Sequence, residues 1–393
     1  MAFDVIVAGV GGMGSAACWH LARRGLRVLG LERFDIPHAM GSSHGVTRII
    51  RLPYYEAPAY VPLLRRAYAL WRELEAASGE RLLVITGSVD AGPEDGAIFN
   101  GALASARLHG LPHEALTGAE VNARWPGYRL PPAHRAVFQP EGGFVLSERA
   151  IVAHANAAMA AGADIRARER VLGWEARGGG EGVTVTTDKG RHEAGRLVLA
   201  AGAWMADLAP PLAGGLAVPE RQVLAWLRPK EPGLFAPERF PVFNLKVGEG
   251  RYYGLPEWEV PGFKFGRYGH RGERGPAEAA RREVDAEDER LLRAFAERYF
   301  PGGAGATMAL RACLFTNTPD EHFVLDRHPG FPQVVLASPC SGHGYKFCPV
   351  VGETVADLAT GDGATEHDIG FLRLGRFGRH GGQERASAAP QPL

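Results

Sequence analysis

The sequence predicts a mixed α/β fold, and three observations carry that expectation. Residues 4–8 form a short apolar run of strand type, Gly9-Val-Gly-Gly-Met-Gly14 follows as a glycine turn, and Ser15 to Ala22 places apolar residues at helical spacing. A second strand pattern, Arg27 to Glu32, ends in a carboxylate eighteen residues after Gly14 and closes a βαβ unit. The texture then alternates. Residues 82–147 and 217–316 are rich in aromatics, proline and alternating strand patterns, whereas 148–216 returns to a helix and a strand, so the texture of the opening unit comes in pieces.

The later elements follow from the same patterning. Tyr60, Leu63, Leu64, Ala67, Trp71 and Leu74 fall on one side of an amphipathic helix over 58–77. Glu148 to Ala161 predicts another helix and Arg196 to Ala200 a strand. Beyond residue 316, a strand at Val334 to Ala337 meets the turn Ser341-Gly-His-Gly344 and a helix from Pro349 to Thr360. Residues 379–393, polar and ending in Ala-Ala-Pro-Gln-Pro-Leu, predict a disordered tail.

Composition narrows the function classes. Of 393 residues 46% are apolar and 22% charged, which excludes disorder as the main state, and 52 glycines and 28 prolines predict many tight turns. Lys plus Arg equals Asp plus Glu at 44 each, so no net field gathers nucleic acid or anionic lipid, and a small molecule is the expected partner. Two stretches imitate export or membrane segments. Val5 to Ala22 lacks a basic start and is broken by glycines, and Leu197 to Pro219 holds Asp207, Pro210 and Pro211. Both read as buried units of a cytoplasmic protein, and the neutral charge is compatible with a monomer. Four cysteines, Cys18, Cys313, Cys340 and Cys348, include no C-x-x-C pair, so neither a disulfide scaffold nor a zinc or other metal site is expected.

The glycine turn reads as a dinucleotide site. Gly9 permits the sharp turn, Gly11 lets backbone approach a pyrophosphate, Gly14 allows close helix–strand packing, and Glu32 is placed to accept hydrogen bonds from the adenosine ribose. Glu32 disfavours NADP by repelling a 2′-phosphate, but the fingerprint alone leaves NAD and FAD open.

Further motifs decide between them. They are Gly41-Ser-Ser-His-Gly-Val-Thr-Arg-Ile-Ile-Arg51, Tyr252-Tyr-Gly-Leu-Pro256, Gly262-Phe-Lys-Phe-Gly266, the stretch Ala312-Cys-Leu-Phe-Thr-Asn-Thr-Pro-Asp-Glu-His-Phe323, and Ser341-Gly-His-Gly-Tyr-Lys-Phe347. With the glycine fingerprint and in this order, over about residues 3–375, the chain resembles the monomeric sarcosine oxidases and N-methyl-tryptophan oxidases, D-amino-acid-oxidase-like flavoenzymes. The resemblance implies a Rossmann-like FAD-binding domain (1–84, 148–216 and 317–378) interleaved with a mainly antiparallel β-sheet substrate domain with helices (85–147 and 217–316). It also implies FAD held through a cysteine thioether, and oxidation of a secondary amino acid by molecular oxygen.

The same resemblance assigns residues. Cys313 matches the flavin-linked cysteine; Arg311, two positions earlier in an extended segment, is expected on the same side to favour the thiolate. A buried structural thiol is the alternative, and is the reading for Cys18, Cys340 and Cys348. Arg51 and Lys346 match the cations that clamp the substrate carboxylate, and Tyr253 a pocket tyrosine. Lys264, flanked by Phe263 and Phe265, points away from those rings, by resemblance toward a water beside the flavin, where positive charge assists oxygen reduction. A solvent-facing strand lysine is the plainer reading. Arg48 and His44 match basic positions along the flavin, and Thr47 a backbone or hydroxyl contact. Gly342, His343 and Gly344 form a turn whose following helix adds its dipole, with His343 either near the ring or bonded to backbone. His270 corresponds to an active-site histidine at a spacing two residues longer than the family's. Phe315 stands where the family usually has tyrosine, which makes the pocket more apolar and shifts preference toward a bulkier substrate.

The expected reaction converts an N-methyl or cyclic secondary α-amino acid to an imine, then to amine plus formaldehyde when the group is methyl, with hydrogen peroxide formed. Alternatives are a dehydrogenase or oxidase of another amine, such as pipecolate or a fructosyl amino acid, and a non-catalytic flavin-binding subunit.

Overall fold

The opening strand Phe3–Ala8 lies inside a parallel run in the computed structural model, which describes residues 3–177, 181–361 and 363–378. It pairs with Val28–Leu31 on one side and Arg191–Leu199 on the other; Asp164–Arg166 and Phe331–Ser338 extend the run outward. Strands Val171–Ala176, Val183–Thr187 and Val324–His328 add antiparallel pairings. Parallel strands covered on both faces need continuous apolar sequence, and Val5 to Ala8 and Val28 to Leu31 are buried without alternation. Three helices, Gly12–Ala22, Ser147–Ala160 and Cys348–Thr360, pack over one face around Val5, Val7 and Val28. Gly352 permits close approach of two of them, because a Cβ there would lie 2.6 Å from the Ala16 carbonyl carbon.

The second sheet is mainly antiparallel. Its strands run in the order Thr307–Asn317, Val218–Leu227, Phe263–Arg267, Gly250–Leu255, Val242–Val247, Ser88–Gly92, Arg135–Gln139 and Glu114–Thr117. Only the contact between Val242–Val247 and Ser88–Gly92 is parallel among these described strands. One face carries Phe243, Tyr252, Phe263 and Phe265 against the helix Ala286–Tyr299, with the Tyr252 and Phe295 rings stacked at 3.7 Å. The strand period of two sends Leu224, Tyr253 and Asn244 to the opposite face, toward the first sheet. A small third sheet links the two bodies: Thr47–Ile50 and Leu83–Ile85 both pair with Gly143–Leu146.

The amphipathic helix begins at Val61 and runs to Ser78, because Pro58–Tyr60 closes a 3-10 turn, and Gly79 ends it in a left-handed conformation at φ 71°. The strand expected at Arg196 starts earlier, at Arg191, where it pairs with Val183–Thr187. The tail expected over 379–393 lies outside the described residues. Among those residues no helix is long and apolar enough to cross a membrane.

Candidate active site

The glycine turn has the backbone its sequence requires. Gly9 has φ 96°, and a Cβ would meet the Ala200 carbonyl at 2.5 Å; a Cβ on Gly14 would meet the Gly9 carbonyl at 1.7 Å. Gly11 differs. Its Cβ would meet nothing closer than the Ser43 hydroxyl at 3.7 Å, so packing within the chain does not demand glycine there, and the space opens into a large cavity. Glu32 lines the same cavity and accepts hydrogen bonds from the Val10 and Phe34 amides at 2.9 and 3.0 Å, which fixes its carboxylate beside the turn.

The cavity runs from this turn to the face of the second sheet. Cys313 lines it with its side chain buried, and burial pushes the thiol above its ordinary range. The cations that oppose this effect are Arg48, whose Nη2 is 3.9 Å from Sγ, then Lys264 and Arg282. Arg311 does not play the part expected of it: it is exposed and its guanidinium turns back to the Leu310 carbonyl. Arg48 lines the cavity and is held by the Thr47 and Ser42 carbonyls at 2.9 and 2.8 Å. Lys264 is buried on the side opposite Phe263 and Phe265; its Nζ donates to the Gly45 and Thr47 carbonyls at 2.6 and 2.5 Å. It does not line the cavity itself, and burial drives its pKa well below the usual lysine range. His44 is buried close by with Nε2 unpartnered, and burial lowers it to about 3.

A second cationic group lies farther along. Arg51 and Lys346 both line the cavity and both are buried. Arg51 Nη2 contacts both oxygens of Glu56 at 2.9 and 2.7 Å, Nε lies 3.5 Å from Asp90, and the guanidinium covers the Tyr55 ring at 4.1 Å. Lys346, in a short 3-10 turn ahead of the helix Cys348–Thr360, donates to the His343 carbonyl at 2.6 Å; burial and then Arg51 pull its pKa down to about 7. Glu56 is held at about 2, since Arg51 and other cations outweigh burial, whereas Asp90 is pushed up to about 6 by burial. Sequence reasoning missed Glu56 and Asp90. Glu56 follows Arg51 by five residues in an irregular segment, and Asp90 joins only through sheet pairing, so neither has a local signal.

Gly342, His343 and Gly344 line the cavity as one turn. Both His343 ring nitrogens are used, Nδ1 against the Tyr54 hydroxyl at 2.6 Å and Nε2 against the Glu321 carbonyl at 2.9 Å, and burial lowers its pKa to about 3. It is therefore a neutral imidazole that fixes the turn. Tyr253 and Thr47 also line the cavity, with Phe315 seated on Gly342, where a Cβ would meet its ring at 2.6 Å. His270 is not brought there. It is bonded through Nε2 to Asp288 at 2.9 Å in a buried cluster with Arg221, outside the cavity lining. Its longer spacing from Lys264 carries it around the turn after strand Phe263–Arg267.

The arrangement pairs a nucleotide-type glycine turn with a thiol and two groups of basic side chains, Arg48 beside the thiol and the buried Arg51 and Lys346 farther along. Comparison gives it a family: residues 4–358 match the family described as FAD dependent oxidoreductase. The chain belongs to the FAD-dependent oxidoreductases. Among relatives in this family, it is 40% identical over 378 residues to a monomeric sarcosine oxidase of Bacillus sp. (strain NS-129), covering 95% of this chain and 97% of that one. It is 35% identical over 380 residues to an N-methyl-L-tryptophan oxidase of Salmonella dublin, covering 96% and 100%. The solved structure of NikD, an unusual amino acid oxidase essential for nikkomycin biosynthesis, superposes with a TM-score of 0.82 at 28% identity, covering 94% of this chain and 97% of that one. The cavity fits this family's cofactor on its own terms, since the space beside Gly11 admits a pyrophosphate and Glu32 is fixed where a ribose would follow.

Proposed function

We propose that this chain is an FAD-dependent oxidase of N-methyl or cyclic secondary α-amino acids, with FAD tethered to Cys313. The observation that carries the reading is a single cavity lined at once by the glycine turn, Cys313, and the buried cations Arg51 and Lys346. Gly9, Gly11, Gly14, Glu32, Thr47 and the 342–344 turn hold the cofactor. When bound, FAD takes two electrons from the substrate's C–N unit and passes them to oxygen, giving an imine and hydrogen peroxide.

The chain's own residues orient and polarise. Arg51 and Lys346 receive the substrate carboxylate; charge-assisted bonds of this kind contribute about 1.5–3 kcal/mol each, enough to fix one end of a small zwitterion. The same cations disfavour the ammonium form of the bound amine by like-charge repulsion, which eases loss of its proton without a dedicated base. Arg48 stands nearest the Cys313 sulfur and favours the thiolate needed for tethering. Lys264 and His44 set the polarity behind the 45–47 segment. His270 acts at a distance, by holding the turn after its strand.

The first sheet's body serves as the FAD domain and the second as the substrate domain, in a cytoplasmic monomer. The name of the sarcosine oxidase relative supports the monomer, and sedimentation of the purified holoenzyme tests it. The main experiment combines anaerobic bleaching by sarcosine, N-methylated and cyclic imino acids with peroxide yield in air and the colour of acid-precipitated protein. Bleaching, stoichiometric peroxide and a yellow pellet are expected. Bleaching without peroxide turns the reading to a dehydrogenase, and no bleaching turns it to a flavin-binding subunit.

A further inference from the structure

Register across the second sheet places four residues in one row: Gly266 opposite Tyr253, Tyr253 opposite Asn244, and Asn244 opposite Asp90. Directly opposed residues share a sheet face, here the one toward the cavity. A Cβ on Gly266 would lie 2.5 Å from the Tyr253 hydroxyl, so that ring leans over the glycine and away from Asn244, a buried residue that lines the cavity.

The Asn244 amide has a fixed orientation. Nδ2 donates to Asp90 Oδ1 at 2.8 Å, in a buried pair. An ionised carboxylate only accepts, so the NH₂ group must face Asp90 and the carbonyl oxygen the other way. Among the described residues, this is the hydrogen bond that the Asn244 side chain makes. The same Asp90 oxygen lies 3.5 Å from Arg51 Nε. One carboxylate oxygen thus lies between the Asn244 amide and the cation assigned to the substrate carboxylate, and both of those side chains line the same cavity. The Phe315 and Tyr268 rings, 5.6 Å apart, line the same cavity.

We propose that Asn244 is a specificity-determining residue: its carbonyl accepts a hydrogen bond from a hydroxyl, amide or amine on the substrate's own side chain, one or two atoms beyond the α-carbon, with Asp90 as the positioning residue. The preferred substrate is then an N-alkylated polar amino acid rather than sarcosine, which has no side chain to reach it. A buried acceptor left unpaired penalises an apolar isostere, so discrimination of about tenfold or more is expected. The inference rests on the oxidase reading above.

The test uses the isosteric pair N-methylserine and N-methyl-2-aminobutyrate with the purified holoenzyme. The ratio of kcat/KM for anaerobic flavin reduction should favour the hydroxylated substrate by about tenfold, and Asn244→Leu should bring that ratio to about one, whatever happens to absolute rates. Flavin absorbance titrations with 3-hydroxypropionate and butyrate give the same comparison as dissociation constants without turnover, and with the wild-type protein alone. Equal ratios in the wild type, or a preference retained by the leucine variant, overturn the assignment. Failure of every amine to reduce the flavin overturns the oxidase reading instead.

Discussion

Lys346 lines the cavity with its pKa brought down to about 7, so its charge changes near neutral pH. Burial and Arg51 hold it near 7, so its cationic form is present below that value and lost as the pH rises through it. A simple carboxylate such as acetate should therefore bind roughly ten- to a hundredfold more weakly on the alkaline side, followed by flavin absorbance titration. Lys346→Met should bind weakly at every pH; a flat wild-type profile would show that this amine does not meet the carboxylate. Cys313 supports a separate test. Cys313→Ala should leave a colourless acid pellet and a yellow supernatant, and Arg48→Met, which removes the nearest cation, should lower the tethered fraction without abolishing it. At this scale the motifs name Arg51, Cys313 and Lys346, distant in sequence, and the fold brings all three to the lining of one cavity. The sequence was silent where the partner arrives from another strand, as Asp90 does, and misleading where local alternation suggested Arg311 as the companion of Cys313 while Arg48 comes from a different sheet.

Between elements, the tightest constraint is the crossing of helices Gly12–Ala22 and Cys348–Thr360. A methyl group at Gly352 would press on the Ala16 backbone at 2.6 Å, where no flexible side-chain end can yield. Gly352→Ala should cost about 1–3 kcal/mol, read as a lowered urea midpoint, and should weaken FAD retention because the first of these helices carries the glycine turn. An unchanged midpoint would mean that the crossing relaxes freely. Element positions were largely legible because their periods are clean: Phe263, Lys264 and Phe265 alternate as a strand must, and residues 4–8 read as a short apolar strand. Sheet order was not legible, since the parallel contact of Ser88–Gly92 with Val242–Val247 joins segments that share no local pattern.

For the whole molecule, buried neutral histidines add to the response to mild acid. His20, His44, His154 and His343 are each held near 3 mainly by burial, against an ordinary value of 6.5. The unfolded chain takes up these protons below 6.5 and the folded chain does not until about 3, so their contribution to stability is complete above 6.5 and is lost as the pH falls through that window. Asp90, raised to about 6, acts in the opposite sense but is a single group. The urea midpoint should drop from neutral to mildly acidic pH, and His154→Leu, which removes a ring with an unpartnered Nε2 between Trp19 and Trp71, should reduce the drop.

The grip of Lys264 on the Gly45 and Thr47 carbonyls reaches beyond charge. A side chain rooted in one sheet and fastened to the approach of another is a rivet, and cutting a rivet frees both plates. Lys264→Met would therefore let the segment bearing Arg48 drift from the sulfur it faces, and slower oxygen consumption in that variant would mix a lost amine with a loosened seam. Comparing its tethered flavin fraction with that of Lys264→Arg, which keeps a cation of similar reach, separates the two.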